Sequence, residues 1–422
     1  MYKKTKLKSG LKIITVPEKN TQAVTVLVMA KVGSKYEKKN INGLSHFLEH
    51  MLFKGTKKRP TALEISETLD KVGGHYNAFT GEEYTGYFAK VEKSRVDLAL
   101  DWVADIYLNS LLPEKEIEKE KGVIKEEMNM YLDNPMIYVQ DLWKKVLYGD
   151  QPAGWPVIGN KRIVSLVNRK KLLDYRKNFY TAQNTLVCIA GNFDSKKILK
   201  KAKRHFKDLK KGKLLKKDEV VEKQKKPNCL VKYKETDQTH LCLGVRAFSL
   251  KSRKRFALEL LAVVLGGMMS SRLFSEIREK MGLAYYIGTK AELDPDAGSL
   301  VTRAGIDNKK VDNAILAILK EYKNIASKEI QEDELRKAKD YLKGKLALSL
   351  ESSDSLAFFY STQELLLGKV LTAEDIFKEL EKVKKEQVLD VAQKIFKPEN
   401  LNLALIGPFK DKKRFENLLK QF

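Results

Sequence analysis

Short stretches in which apolar and polar residues alternate, or apolar residues run unbroken for a few positions, punctuate this chain. Between them lie longer stretches with a three-to-four-residue apolar period. The first pattern predicts strands over Ala23–Val32, Tyr84–Lys90 and Leu241–Ala247. The second predicts amphipathic helices over Thr61–Val72 and Asp333–Leu350. Two further apolar runs, Thr185–Gly191 and Leu401–Gly407, each follow a helical segment and read as buried strands. Sheets covered by helices, an α+β class, follow from this alternation.

The two late strands are also the clearest part of an internal repeat. At an offset of 216 positions Leu173-Asp174 corresponds to Leu389-Asp390, Tyr180 to Phe396, Asn184 to Asn400, Gly191 to Gly407 and Phe193 to Phe409. Residues 210–227 between the copies are polar and lysine-rich, with little capacity to form a core, and read as a linker. The expected organisation is therefore two related domains, 1–209 and 228–422, each a mostly antiparallel sheet covered by helices.

Composition narrows the picture. With 422 residues, 43% hydrophobic and 32% charged, the chain has ample material for two cores. No apolar run approaches the roughly 20 residues of a membrane span, and the basic start lacks the apolar core of a secretory signal. A cytoplasmic location without membrane attachment is expected. The cysteines, Cys188, Cys229 and Cys242, form no Cys-x-x-Cys pair and read as buried apolar positions. The formal charge of +25 comes from lysines spread over nearly every segment, so a solvated surface is expected rather than a nucleic-acid footprint.

Candidate chemistry concentrates in His46-Phe47-Leu48-Glu49-His50. On a helix, residues i and i+4 share a face, so His46 and His50 can grip one metal ion. Glu49 then lies beside the ion, where a carboxylate that is not a ligand can take a proton from water. His-x-x-Glu-His inverts the commoner metallopeptidase order and is the inverzincin pattern. A catalytic zinc site usually has three protein ligands, so one is missing. The helical pattern from Glu114 to Met130 offers Glu120 and, seven residues on, Glu127 on one face; spacing alone does not choose between Glu126 and Glu127. Extending the repeat places Ala262, Leu265 and Gly266 opposite His46, Glu49 and His50, so the second copy has no equivalent site. His75 reads as a loop residue, and His205 and His240 as structural or exposed.

Together, the His46–Thr56 block, Asn77-Ala78-Phe79-Thr80, the run from Glu120 to Glu127, Asp133-Asn134-Pro135 and the Ser270–Tyr285 block resemble the pitrilysin family of zinc peptidases. That family includes insulin-degrading enzyme and the mitochondrial processing peptidase, and the resemblance spans both halves. It implies one zinc ion per chain, held by His46, His50 and Glu127, with Glu49 as general base. It implies that Glu120 assists beside the third ligand, and that Arg278 and Tyr285 grip substrate backbone and stabilise the oxyanion. Asn77, Ala78 and Phe79 match the edge segment that the family offers to an extended peptide.

The resemblance thus implies a zinc endopeptidase acting on extended peptides or unfolded segments. This chain has about half the length of family members that enclose substrate with four domains, so a homodimer is expected to form the chamber. Arg278 and Tyr285 would then complete the partner's site. The alternative is a non-catalytic or heterodimeric assembly subunit of the same fold.

Overall fold

A computed structural model describes residues 2–422 of the chain. It divides into two compact units. The first contains the residues up to Asn129, Trp155–Asp218 and Leu348–Val370; the second contains Met130–Gly154, Glu219–Ala347 and Leu371–Phe422.

Among the described residues the first unit is built on six strands: β1 (Lys3–Lys6), β2 (Lys12–Pro17), β3 (Ala23–Ala30), β4 (His75–Thr80), β5 (Thr85–Glu92) and β6 (Thr185–Gly191). They lie in the order β1-β2-β6-β3-β5-β4, antiparallel except for the β2–β6 pair. Nearly every β3 residue is buried because both sheet faces are covered. Leu27 and Met29 pack with Phe88, Leu186 and Cys188 under Ala357 and Leu365 of the Ser353–Leu367 helix. Side chains alternate along a strand, so Val26 and Val28 point to the other face, where the Val96–Asn109 helix packs on β3 and β5.

The second unit repeats this plan. Strands β7 (Asn228–Tyr233), β8 (Gln238–Arg246), β9 (Ala284–Leu293), β10 (Gly298–Asp307) and β11 (Leu401–Gly407) lie in the order β7-β11-β8-β10-β9. One parallel pair recurs at the same register: Lys12 faces Leu186 in one sheet and, 216 positions on, Asn228 faces Asn402 in the other. The antiparallel neighbour slips by one residue, since Thr25 pairs with Ala190 but Leu241 pairs with Leu405. The duplication seen in the sequence is thus carried in strand order and register, with an offset of 215 or 216. At either value the positions opposite His46, Glu49 and His50 are apolar or glycine.

The units differ from the contiguous division at 209 and 228 in one systematic way. The Pro135–Tyr148 helix, from the first half of the chain, buries Val139, Leu142 and Trp143 against Cys242, Val301 and Ala404 of the second sheet. The Ser353–Leu367 helix, from the second half, covers the first sheet. These helices lie about one repeat apart in the sequence, so each copy supplies the corresponding helix to the other's core. The Pro135–Tyr148 helix buries an apolar face, whereas the buried face of Ser353–Leu367 mixes Ser353, Ser361 and Glu364 with Ala357 and Leu365, and neither pattern carries information on which sheet receives the helix.

The lysine-rich segment has no helix or strand, as expected, yet it is anchored. The Gly212 and Leu215 N–H groups donate to the Gln183 and Asn184 side chains at 2.6 and 3.2 Å, and Lys217 pairs with buried Glu83. Beyond it, Val221 N–H donates to Gln151 at 2.9 Å within the second unit. Cys188, Cys229 and Cys242 are buried free thiols, and burial raises each pKa to about 12. Among the described residues no helix is long and apolar enough to cross a membrane.

Candidate metal centre

The helix Leu44–Met51 buries Leu44, Phe47, Leu48 and Met51 and leaves His46, Glu49 and His50 half-buried on its other side. Its start is tightly specified. Gly43 precedes it with φ +101°, and a Cβ there would stand 2.7 Å from the Ile158 carbonyl oxygen, so only glycine fits. Glu37, 2% exposed, turns its carboxylate on the helix N-terminus, accepting from Gly43 N–H at 2.7 Å and Ser45 N–H at 2.6 Å. Burial raises the Glu37 pKa above the ordinary value, and these bonds oppose the rise.

The long helix Glu114–Asp133 faces this one through Ile117, Glu120, Ile124 and Glu127, a three-and-four spacing that keeps all four on one side. Glu127 and not Glu126 reaches the histidines: Glu126 is exposed and accepts from the Asn129 amide at 3.1 Å. His46 Nε2 stands 3.6 Å from Glu127 Oε1, and His50 Nε2 stands 3.6 Å from Oε2. One donor atom from each of the three lies within 4.8 Å of the others. Zinc–nitrogen and zinc–oxygen distances of about 2.0–2.2 Å in a tetrahedron place ligand atoms roughly 3.3–3.5 Å apart, so this donor set fits zinc. Two imidazoles and one carboxylate leave a fourth position for water or substrate.

Glu120 is 3% exposed and touches His50 from behind, with Oε2 at 3.0 Å from Nδ1. Burial alone would raise its pKa, but bonds to His50 and Lys54 outweigh that and hold the carboxyl below its ordinary value. Such a contact fixes the ring's orientation and tautomer. Glu49 is acidified less readily: burial raises its pKa against the Thr80 hydroxyl, which donates to Oε2, and against the two histidines. Beneath it lie Tyr87 and Tyr180, both buried, with hydroxyls 3.0 Å apart.

Thr80 ends β4, the outer strand of the first sheet, which pairs on one side with β5. Alternation sends Tyr76 and Thr80 toward Trp102 and Glu49, and His75 and Phe79 toward the opposite face. Phe79 therefore packs on Phe358, with ring centroids 4.8 Å apart, and on Tyr84. Its side chain is structural, and what the segment offers is the backbone of Asn77, Ala78 and Phe79. His75 opens the strand instead of lying in a loop. His205 and His240 are half-buried, the latter with Nδ1 at 3.1 Å from the Tyr286 hydroxyl.

Arg278 and Tyr285 belong to the second unit. Arg278 lies in the wide-turned helical segment Phe274–Lys280, its guanidinium 4.7 Å from the Phe274 ring centroid. Tyr285, the second residue of β9, is 74% exposed, which excludes a core role for the ring. Among the described residues the second unit has no cluster comparable to His46, His50 and Glu127. Lys54, Thr80 and Glu37 were not singled out by sequence reasoning. Lys54 follows His50 by one helical turn, which was an available signal, whereas Glu37 and Thr80 reach the site through the fold.

Residues 12–161 match the family model described as "Insulinase (Peptidase family M16)", and residues 166–342 match "Peptidase M16 inactive domain". The second description falls largely on the half without the cluster of His46, His50 and Glu127. An uncharacterized zinc protease of Bacillus subtilis, YmxG, is 37% identical over 97% of this chain and 98% of its own. An uncharacterized zinc protease of Rickettsia felis is 35% identical over 96% and 97%. The crystal structure of a protease from Helicobacter pylori superposes with a TM-score of 0.89 at 26% identity, covering 97% of this chain and 99% of its own. The chain belongs to the M16 peptidase family, the pitrilysin-like zinc peptidases.

Proposed function

We propose that this protein is a zinc endopeptidase that cleaves extended peptides or unfolded segments, with one zinc ion held by His46, His50 and Glu127. The observation that carries the reading is the convergence of those three donors within 4.8 Å, with Glu49 close enough to interact with all three. A zinc ion there would acidify water and polarise the scissile carbonyl. Glu49 takes the proton from water as it attacks and returns it to the leaving amine, while Thr80 orients its carboxylate. The outer edge of β4 pairs with substrate backbone, which gives affinity without demanding particular side chains. Arg278 and Tyr285 bind substrate backbone and stabilise the oxyanion, and the exposure of Tyr285 supports such a role.

Two chains form the chamber in this reading, each supplying Arg278 and Tyr285 to its partner's zinc site. A non-catalytic assembly subunit would need neither a full donor set nor a placed base. The test is cleavage of a mixed peptide library mapped by mass spectrometry, with loss of all cuts on chelation and recovery with zinc. Mixing Glu49→Gln with Arg278→Ala/Tyr285→Phe then tests assembly in trans. Each variant is inactive alone, and mixed dimers recover one working site; confirmed mixed dimers without activity overturn the shared arrangement.

A further inference from the structure

Behind His50 stands an acid, and behind that acid stands a cation. Glu120 Oε2 is 3.0 Å from His50 Nδ1, and its other oxygen is 2.5 Å from the Lys54 ammonium. Lys54 is 23% exposed and Glu120 4% by side chain, so water screens this pair less than an ordinary surface bridge. Lys54 lies just past the helix that carries both histidines, and its own N–H donates to Met51 O at 3.3 Å. The backbone that sets His50 therefore also sets the cation that holds Glu120. The other histidine has no such support, because among the described residues the buried His46 Nδ1 has no hydrogen-bond partner.

We propose that Lys54 is a positioning residue of the metal centre. Its ammonium fixes the Glu120 carboxylate in the one rotamer that meets His50 Nδ1, and His50 Nε2 is thereby held toward His46 and Glu127. The lysine also places one positive charge against a cluster of three carboxylates, Glu49, Glu120 and Glu127. Its loss frees the Glu120 carboxylate to turn away, and the imidazole loses its fixed orientation. Removing an outer partner of a ligating histidine commonly weakens metal binding by about 10–100-fold. The inference rests on the zinc reading proposed above.

The test is zinc affinity of the full-length protein, measured by competition with a chromophoric chelator. Lys54→Met is expected to bind zinc at least about tenfold more weakly than the wild type, whereas Lys54→Arg, which keeps the cation, binds within threefold of it. If Lys54 acts through Glu120, Lys54→Met in a Glu120→Gln background adds little further loss. Circular dichroism and the melting temperature of the zinc-free variants show whether each is folded, and Lys54→Gln replaces Lys54→Met if the latter is not. A folded Lys54→Met protein with wild-type zinc affinity overturns the inference and leaves the zinc reading intact. Undiminished additivity with Glu120→Gln overturns the relay. Absence of zinc binding in the wild type, or zinc binding that His46→Ala leaves unchanged, overturns both readings together.

Discussion

The Thr80 hydroxyl donates a hydrogen bond to the carboxylate of Glu49, joining the last residue of the outer strand β4 to the proposed base on the helix Leu44–Met51. The strand that would receive substrate and the group that would act on water are thus held by one contact. A hydrogen bond to a charged group contributes about 1.5–3 kcal/mol, which is roughly one to two powers of ten in rate. Thr80→Val should therefore lower kcat about 10- to 100-fold with little change in KM, and Thr80→Ser should restore most of it. Steady-state kinetics on one defined peptide distinguishes this outcome from a binding defect, which would raise KM alone.

The Phe358 ring, supplied by the second half of the chain, braces the same strand through Phe79 and its neighbour β5 through Phe88. Phe358→Ala should cost about 2–4 kcal/mol in urea unfolding, since the ring is only partly buried and a fully buried Phe→Ala change costs roughly 3–5. It should also raise KM, because a loosened edge presents its backbone less well. A variant as stable as the wild type would show that the exchanged helix does not support the strand.

The start of the helix Leu44–Met51 depends on Glu37. Replacing it with alanine leaves the Gly43 and Ser45 N–H groups buried without their acceptor. A cost of about 2–4 kcal/mol is expected from two unsatisfied donors, with lower zinc retention at equal free zinc. Thermal melting with and without zinc checks both parts.

A pH effect is expected in the second unit. Glu259 lines a cavity of about 650 Å³ with Tyr286, Lys290 and Arg303, and burial raises its pKa from 4.5 to about 7. A carboxyl with a raised folded-state pKa stabilises the fold most below about 4.5 and loses that contribution as pH rises through about 7. Between those values the wild-type denaturation midpoint should fall, and Glu259→Gln should fall less. Parallel curves for the two proteins would contradict this.

Much of this was legible in the sequence because it is periodic or local. The buried strands Thr185–Gly191 and Leu401–Gly407 have the bounds expected of them, and the helix Ala62–Asp70 begins where Thr61 and Glu64 form a capping box. His46 and His50 share a face because i and i+4 residues do. What pattern could not supply was pairing at a distance. The choice of Glu127 over Glu126 depends on which side of a long helix meets the histidines. The exchange of two helices between units depends on which sheet each one reaches, and the Ser353–Leu367 helix, which buries Ser353, Ser361 and Glu364 beside Ala357 and Leu365, has no clean apolar stripe to announce its buried side. The inward turn of Phe79, likewise, follows from strand alternation once β4 is placed at the edge.

In the proposed mechanism Glu49 moves protons at a metal held by other residues. The most direct measurement compares peptide cleavage by zinc-loaded wild-type protein with that by Glu49→Gln at equal zinc content. The variant is expected to retain zinc with cleavage reduced at least about a thousandfold, the loss of some 4 kcal/mol of transition-state stabilisation. Cleavage by the zinc-loaded variant at near wild-type rate, or wild-type cleavage that survives chelation, would contradict it.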